Sequence, residues 1–215
     1  EITLGDWSSD VCSSDLASMF SLTLLLGYIG NLRQREQRRE EELKTIEHLA
    51  LHDALTGLPN RFLLLGRLEQ VITSAQRHGT KIGVMFLDLD GFKPINDRYG
   101  HHVGDALLRE VGWRLRQCMR DSDTVARHGG DEFVVVLTDM QSASDAAPLA
   151  EKILGAIAEP LDVNGDILQV TTSIGIAVFP DSGLDAESLL RAADAAMYEA
   201  KAEGRRIFRY ATPGR

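Results

Sequence analysis

The chain has very little cysteine: of 215 residues only Cys12 and Cys118. That pair, far apart, offers neither a disulfide framework nor the spacing of a metal site. A reducing, cytoplasmic setting for the main domain is the plain reading. Positive charge is also short, since 23 Lys and Arg face 32 Asp and Glu and leave a net charge of -9. A nucleic-acid polymer as partner would need a basic face and is disfavoured on that ground. A nucleotide needs only a local cationic pocket and stays open. No apolar run reaches the roughly 20 residues of a full membrane span. What remains, 44% apolar and 26% charged residues, is ordinary for a folded domain with a sizeable core.

Four stretches differ in texture. Residues 1–16 repeat a Ser-Ser-Asp-aliphatic unit (Ser8-Ser9-Asp10-Val11, Ser13-Ser14-Asp15-Leu16) without periodicity. They are read as non-native or disordered and left out of the fold, the alternative being a polar extracytoplasmic tail. Residues 17–30 are uncharged and apolar, followed by Arg33, Arg35, Arg38 and Arg39. A basic flank of this kind marks the cytoplasmic side of a span, so a truncated transmembrane segment is expected, with a buried soluble helix as the alternative. Residues 31–52 are a charged helix whose Leu43, Ile46, Leu49 and Ala50 form a narrow seam. This suits a coiled-coil signalling stalk, or a helix docked on its own domain. Residues 53–212 form the globular domain.

Within that domain the periodicity predicts strands at Lys81–Asp88, Leu168–Phe179 and Arg206–Tyr210, and helices at Gly104–Met119, Ser144–Ala158 and Ala186–Ala202. Between them, Thr124–Arg127 and Phe133–Leu137 flank Gly129 and Gly130, which predicts a β-hairpin with a Gly-Gly tip. Asp131 and Glu132 then stand at its mouth, on opposite faces. A central hairpin breaks strict βαβ alternation. The expected fold class is α/β (α+β), with a mixed, largely antiparallel sheet flanked by helices.

Asp88 and Asp90 end an apolar strand on one face. Carboxylates beside a core are costly without a cation, and such oxygen ligands suit Mg²⁺ or Mn²⁺ completed by substrate phosphates. With the acidic hairpin tip they form a plausible two-strand metal cradle. The same features occur in a longer ordered set: Asp53-Ala-Leu-Thr-Gly-Leu-Pro-Asn-Arg61, Phe86-Leu-Asp-Leu-Asp-Gly-Phe-Lys93, Ile95-Asn96-Asp97, Gly100-His-His-Val-Gly-Asp105, Gly129-Gly-Asp-Glu-Phe133, Ser173-Ile-Gly-Ile-Ala177 and the run Ala193–Arg205. On these landmarks the domain resembles the catalytic domain of GGDEF-family diguanylate cyclases.

The resemblance implies a fold like the palm of class III nucleotide cyclases. It also implies condensation of two GTP into cyclic di-GMP and two pyrophosphates by a homodimer, with Mg²⁺ or Mn²⁺, two ions per active site. Residue by residue, Asp88, the backbone carbonyl of Leu89, Asp131 and Glu132 match the metal site, with Asp131 and Glu132 as the catalytic acids. Glu132 either binds metal or helps activate the ribose 3′-hydroxyl. Gly129 and Gly130 leave space for phosphates, and Lys93, Lys201 and Arg205 match their cationic partners. Asn96 and Asp105 match the guanine contacts. Arg120 and Asp123, in Arg-x-x-Asp spacing, match an inhibitory site for cyclic di-GMP, although the second arginine some members use there is not identifiable. Arg206 stands where asparagine is frequent.

The implied activity is that of a nucleotidyltransferase anchored at a bacterial inner membrane, with its catalytic domain in the cytoplasm. The alternative is a non-catalytic GTP or cyclic di-GMP binding module. Such relatives usually lack motif acids or glycines, and none is missing here.

Overall fold

The computed structural model describes residues 31, 33–39, 42, 46, 48–163 and 165–212. The non-native stretch and the truncated membrane segment expected at 1–30 lie outside these. Among the described residues no helix is long and apolar enough to cross a membrane. Contacts divide the chain into residues 1–50 and 51–215. In the first unit, the described residues of the expected stalk are helical.

The second unit begins with a tight turn. Asp53 accepts hydrogen bonds at one carboxylate oxygen from the Thr56 backbone and hydroxyl, while Gly57 N donates to the Asp53 carbonyl. Asn60 then caps helix α1 (Arg61–His78) by accepting from Phe62 N and Leu63 N, satisfying donors that the first helical turn leaves open. Leu64, Leu68, Ile72 and Ala75 form its buried stripe. Next come β1 (Lys81–Asp90), α2 (Phe92–Tyr99), α3 (His101–Cys118), β2 (Thr124–Gly129) and β3 (Glu132–Met140). A 3₁₀ turn at Ala143–Ala146 runs into α4 (Ala147–Ala158). The chain closes with β4 (Leu161–Val163), β5 (Asp166–Leu168), β6 (Thr171–Phe179), α5 (Ala186–Ala202) and β7 (Phe208–Tyr210).

Five strands form one sheet in the order β2-β3-β1-β6-β7, antiparallel except for β6 with β7. The expected mixed, largely antiparallel sheet flanked by helices is what forms. Alternation along β1 sends Met85, Leu87 and Leu89 into a core with α3 and α4. Ile82, Val84 and Phe86 go into a second core with α1 and α5. A strand buried on both faces must be apolar throughout, which explains why β1 shows no polar alternation until Asp88. Helix α5 lies directly on β6 at Gly175, where an added Cβ would overlap the Ala193 carbonyl and the Met197 amide.

Three expectations shift. The strand predicted at Leu168–Phe179 is two: β5 pairs with β4 in a separate small hairpin, and β6 begins at Thr171. The closing strand begins at Phe208 rather than Arg206, because Arg205 and Arg206 take left-handed backbone conformations (φ 62 and 55°) that no strand accommodates. The hairpin tip moves by one residue. Gly129 pairs with Glu132, so the two-residue turn is Gly130-Asp131 with Gly130 at φ 49°.

Candidate active site

The C-terminal end of β1 and the hairpin tip meet over a cavity of about 380 Å³. Asp88, Leu89, Lys93, Asp131, Lys201 and Arg205 line it. Four separate segments supply these residues: the end of β1, the start of α2, the hairpin turn, and the end of α5 with the junction that follows it. The tip is tied to β1 by Leu89 N donating to the Asp131 carbonyl at 3.3 Å.

The two aspartates that end β1 have different surroundings. Asp90 is 5% exposed and accepts from the Ser173 and Thr171 hydroxyls at 2.8 Å each, and from Arg206 N at 3.4 Å. Its lone pairs are committed to holding β6 and the α5–β7 junction. Asp88 has one strong partner, the Lys201 ammonium at 2.6 Å. Burial pushes the Asp88 carboxyl up; the Lys201 hydrogen bond opposes this, while Asp131 and Asp90 add to it, and the balance stays upward. Of the pair, Asp88 is therefore the carboxylate with capacity to spare.

Glu132 faces Asp88 across the β1–β3 ladder, and directly opposite residues share a face. The expected split of Asp131 and Glu132 to opposite faces does not apply, because Asp131 occupies the turn. Glu132 also lines a wider cleft of about 840 Å³ between α1 and α5, with Arg61, His128 and Asp194. Burial raises its pKa, and Asp88, Asp194 and Asp131 raise it further. Upward-shifted acids of this kind, gathered at a cavity, are where a cation is wanted.

Among the described residues no three His, Cys, Asp or Glu side chains close around one point. Mg²⁺ does not need such a cage, since it uses one or two carboxylates with phosphate and water. Asp88, Asp131 and the Leu89 carbonyl fit that demand, and the raised pKa of Asp88 and of Glu132 fits a site short of positive charge.

Lys93 opens α2 at this cavity, and Asn96 lies one helical turn on. The Asn96 side chain sits against Gly104, the residue before half-buried Asp105, where a Cβ would overlap its carboxamide oxygen. That oxygen, Asn96 Oδ1, is buried and has no hydrogen-bond partner. A buried acceptor left unfilled costs about 1–3 kcal/mol. Gly129 and Gly130 are exposed, with nothing within 4 Å of an added Cβ.

Away from this cavity, Arg120 and Asp123 line a second pocket of about 240 Å³. Asp123 is occupied locally, accepting from Arg120 N at 3.2 Å and from Thr138 N at 3.4 Å. Arg67 from α1 and Arg116 from α3 line the same pocket. They are cations that sequence reasoning missed, because 53 and 4 positions from Arg120 respectively they form no linear motif. The four-residue spacing of Arg116 and Arg120 gave no helical signal either, because α3 ends at Cys118 and Arg120 lies beyond it.

The family model "Diguanylate cyclase, GGDEF domain" matches residues 50–206. Among curated proteins, the bifunctional diguanylate cyclase/cyclic di-GMP phosphodiesterase MucR of Pseudomonas aeruginosa is 51% identical over 157 residues, 73% of this chain and 23% of that protein. The diguanylate cyclase TpbB of the same species is 39% identical over 178 residues, covering 82% of this chain and 41% of its own length. The chain thus spans less than half of either relative. Among solved structures, the GGDEF domain of TpbB superposes with a TM-score of 0.73 at 41% identity, covering 75% of this chain and 94% of that one. The coiled coil and GGDEF domain of DgcB from Caulobacter crescentus, in complex with c-di-GMP, gives 0.78 at 29% identity, covering 87% and 99%. With the matched family model, the identity and the shared sheet all in agreement, the chain belongs to the GGDEF family of diguanylate cyclase domains.

Proposed function

We propose that the domain condenses two GTP into cyclic di-GMP and two pyrophosphates. The observation that carries this reading is the meeting of Asp88 and Asp131 with Lys93, Lys201 and Arg205 in one cavity. In each half-reaction a ribose 3′-oxygen forms a bond to an α-phosphorus while the bond to pyrophosphate breaks. The hydroxyl proton leaves to a carboxylate or water. A bound Mg²⁺ or Mn²⁺ would supply the charge that acidifies the hydroxyl and steadies the phosphates.

The chain's own groups do the rest. Asp88, Asp131 and the Leu89 carbonyl would hold the ions, while Glu132 joins them or receives the proton. Lys93 and Lys201 act on phosphate as point charges, whereas Arg205 can fork across two oxygens. Asp105 accepts from the N1–H and amino group of guanine, and the unfilled Asn96 oxygen takes another donor from that edge. Adenine offers no such donor pair and would leave the carboxylate unpaired, at about 1–3 kcal/mol.

One protomer holds one GTP, so the reading requires two copies face to face. The wider cleft beyond Glu132 leaves that acid accessible to an incoming hydroxyl. Arg67, Arg116 and Arg120 around one pocket support a site for a bis-anionic product that feeds back on the enzyme. Anchoring through residues 17–30 and switching through 31–52 rest on sequence pattern alone.

The test is to incubate the chain with GTP and Mg²⁺, with and without a chelator, and separate the products. A cyclic dinucleotide and pyrophosphate, abolished by chelation, are expected. No dinucleotide even when the chain is forced to dimerise would overturn the reading and leave a nucleotide-binding module. Arg120→Ala should raise the plateau yield, and an unchanged plateau would remove the feedback site.

A further inference from the structure

We propose that Arg127 is a positioning residue for Asp131: its guanidinium fixes the Gly130 carbonyl, and so the direction of the acidic tip, to the Asp53 turn. The activity arm of its test rests on the cyclase reading above; the geometry does not.

Beyond the Leu89 N bond to the Asp131 carbonyl at 3.3 Å, the tip has little else to hold it. Gly129 and Gly130 bring no side chains, their surroundings are open, and glycine gives up more backbone freedom on ordering than any other residue. The β2–β3 ladder is irregular between Arg127 and Gly129. Like charge pushes at the same place, since Asp131 bears on both Asp88 and Glu132.

Arg127 answers this with one rigid group. Its Nε and Nη2 both donate to the Gly130 carbonyl, at 3.0 and 2.7 Å. Its Nη1 donates to both carboxylate oxygens of Asp53, at 3.0 and 3.1 Å. Both side chains are largely shielded, 13% and 24% exposed. Asp53 is itself fixed by Thr56, and Arg127 N donates to the Pro59 carbonyl at 3.0 Å. Because a guanidinium is planar, its two ends cannot turn independently. The peptide joining Gly130 to Asp131 therefore takes its orientation from the Asp53 turn, 74 residues away from Arg127 in sequence. A lysine there would keep the charge but not the fork. Misplacing a reacting group by about 1 Å costs on the order of 100-fold in rate.

The experiment compares the full chain with Arg127→Lys, Arg127→Ala and Asp53→Asn, each checked for folding by circular dichroism. Turnover should fall by about 100-fold in Arg127→Ala, the Mg²⁺ needed for half-maximal rate should rise, and KM for GTP should hardly move. Added guanidinium should restore part of that rate, and none in Asp131→Asn. Arg127→Lys should remain impaired although folded. Independently of activity, amide hydrogen exchange at Gly130–Glu132 should speed up in Arg127→Lys. A folded Arg127→Lys with wild-type turnover and Mg²⁺ requirement overturns the proposal. Should the wild type make no dinucleotide, the cyclase reading fails by itself, and exchange decides: faster at the tip supports the strut, unchanged exchange removes it.

Discussion

Asp53 and Asp88 are aspartates of one domain, both largely shielded, and their surroundings shift them in opposite directions. Burial pushes Asp53 up, but hydrogen bonds from the Thr56 side chain and backbone and the Arg127 guanidinium outweigh it, so its carboxyl sits below the usual range. Burial pushes Asp88 up as well, and there the Lys201 ammonium does not compensate, because Asp131 and Asp90 add repulsion. Glu132 beside it is raised by burial and three further acids. The first arrangement stabilises the apo fold. The second is only partly compensated by Lys201 within the chain, which fits the proposed cation site and sets it apart from an ion pair that serves only structure.

The largest expected effect is on the site. Asp131→Asn and Asp88→Asn should each lower the rate of dinucleotide formation by at least about 100- to 1,000-fold, the scale seen when a group that stabilises transition-state charge is removed. Melting temperatures should hold or rise, because an uncompensated charge is lost. Measured side by side, a variant that loses stability along with activity would place Asp88 with Asp53 and dissolve the contrast.

Asp53→Asn should do the reverse. Breaking a partly buried pair leaves Arg127 without its counter-ion, and about 1–3 kcal/mol of stability is at stake once its partial exposure is allowed for. The sign with pH follows from the lowered pKa of Asp53. The contribution is complete above about pH 4, where an unfolded aspartate is ionised, and disappears as pH falls through the lower folded value. Denaturation of the two proteins should therefore converge in acid, and a gap that widens below pH 4 would reverse the assignment.

Much of this contrast was legible in the sequence, for reasons that vary by residue. The pattern at Phe86–Lys93 with Gly129–Phe133 pointed to an acidic cradle because both lie where strands end, and a strand's two-residue period places Asp88 on a known face. The same period could not separate Asp88 from Asp90. That distinction is made by Thr171 and Ser173, which reach Asp90 from a strand more than 80 residues on. Helix α1 went unpredicted although Asn60 and the stripe from Leu64 to Ala75 carried its signal. The hairpin register was off by one because Gly-Gly suits a turn equally well one residue earlier. Arg67, Arg116 and the Arg127–Asp53 bridge are tertiary, and no local spacing announces them.

A smaller effect sharpens the pH contrast. Glu132→Gln should raise the melting temperature of the metal-free protein by about 2–4 °C, which about 1 kcal/mol produces in a chain of this length. Solvent reaching the partly exposed carboxylate keeps the figure small. Because the folded acid is weaker than the unfolded one, the wild type loses stability as pH rises from about 4 through the raised folded value. The gain from glutamine should then be absent in acid and full at neutral pH, opposite to Asp53→Asn. Added Mg²⁺ with GTP should stabilise the wild type more than the variant, and equal stabilisation would take Glu132 out of the metal site.

The smallest effect tests whether strain near the site lies in the backbone as well as in charge. Arg206 is held at φ 55°, and its amide donates to Asp90 at 3.4 Å. A long side chain in the left-handed region costs energy that asparagine, whose short amide bonds locally, largely avoids. Arg206→Asn keeps the amide and the charge-bearing Arg205 beside it. The expected outcome is a gain of about 1–2 °C in melting temperature, on the scale of a few tenths of a kcal/mol, with unchanged turnover. A loss of turnover instead would mean that the Arg206 guanidinium, and not only the bend it occupies, serves the phosphates alongside Arg205.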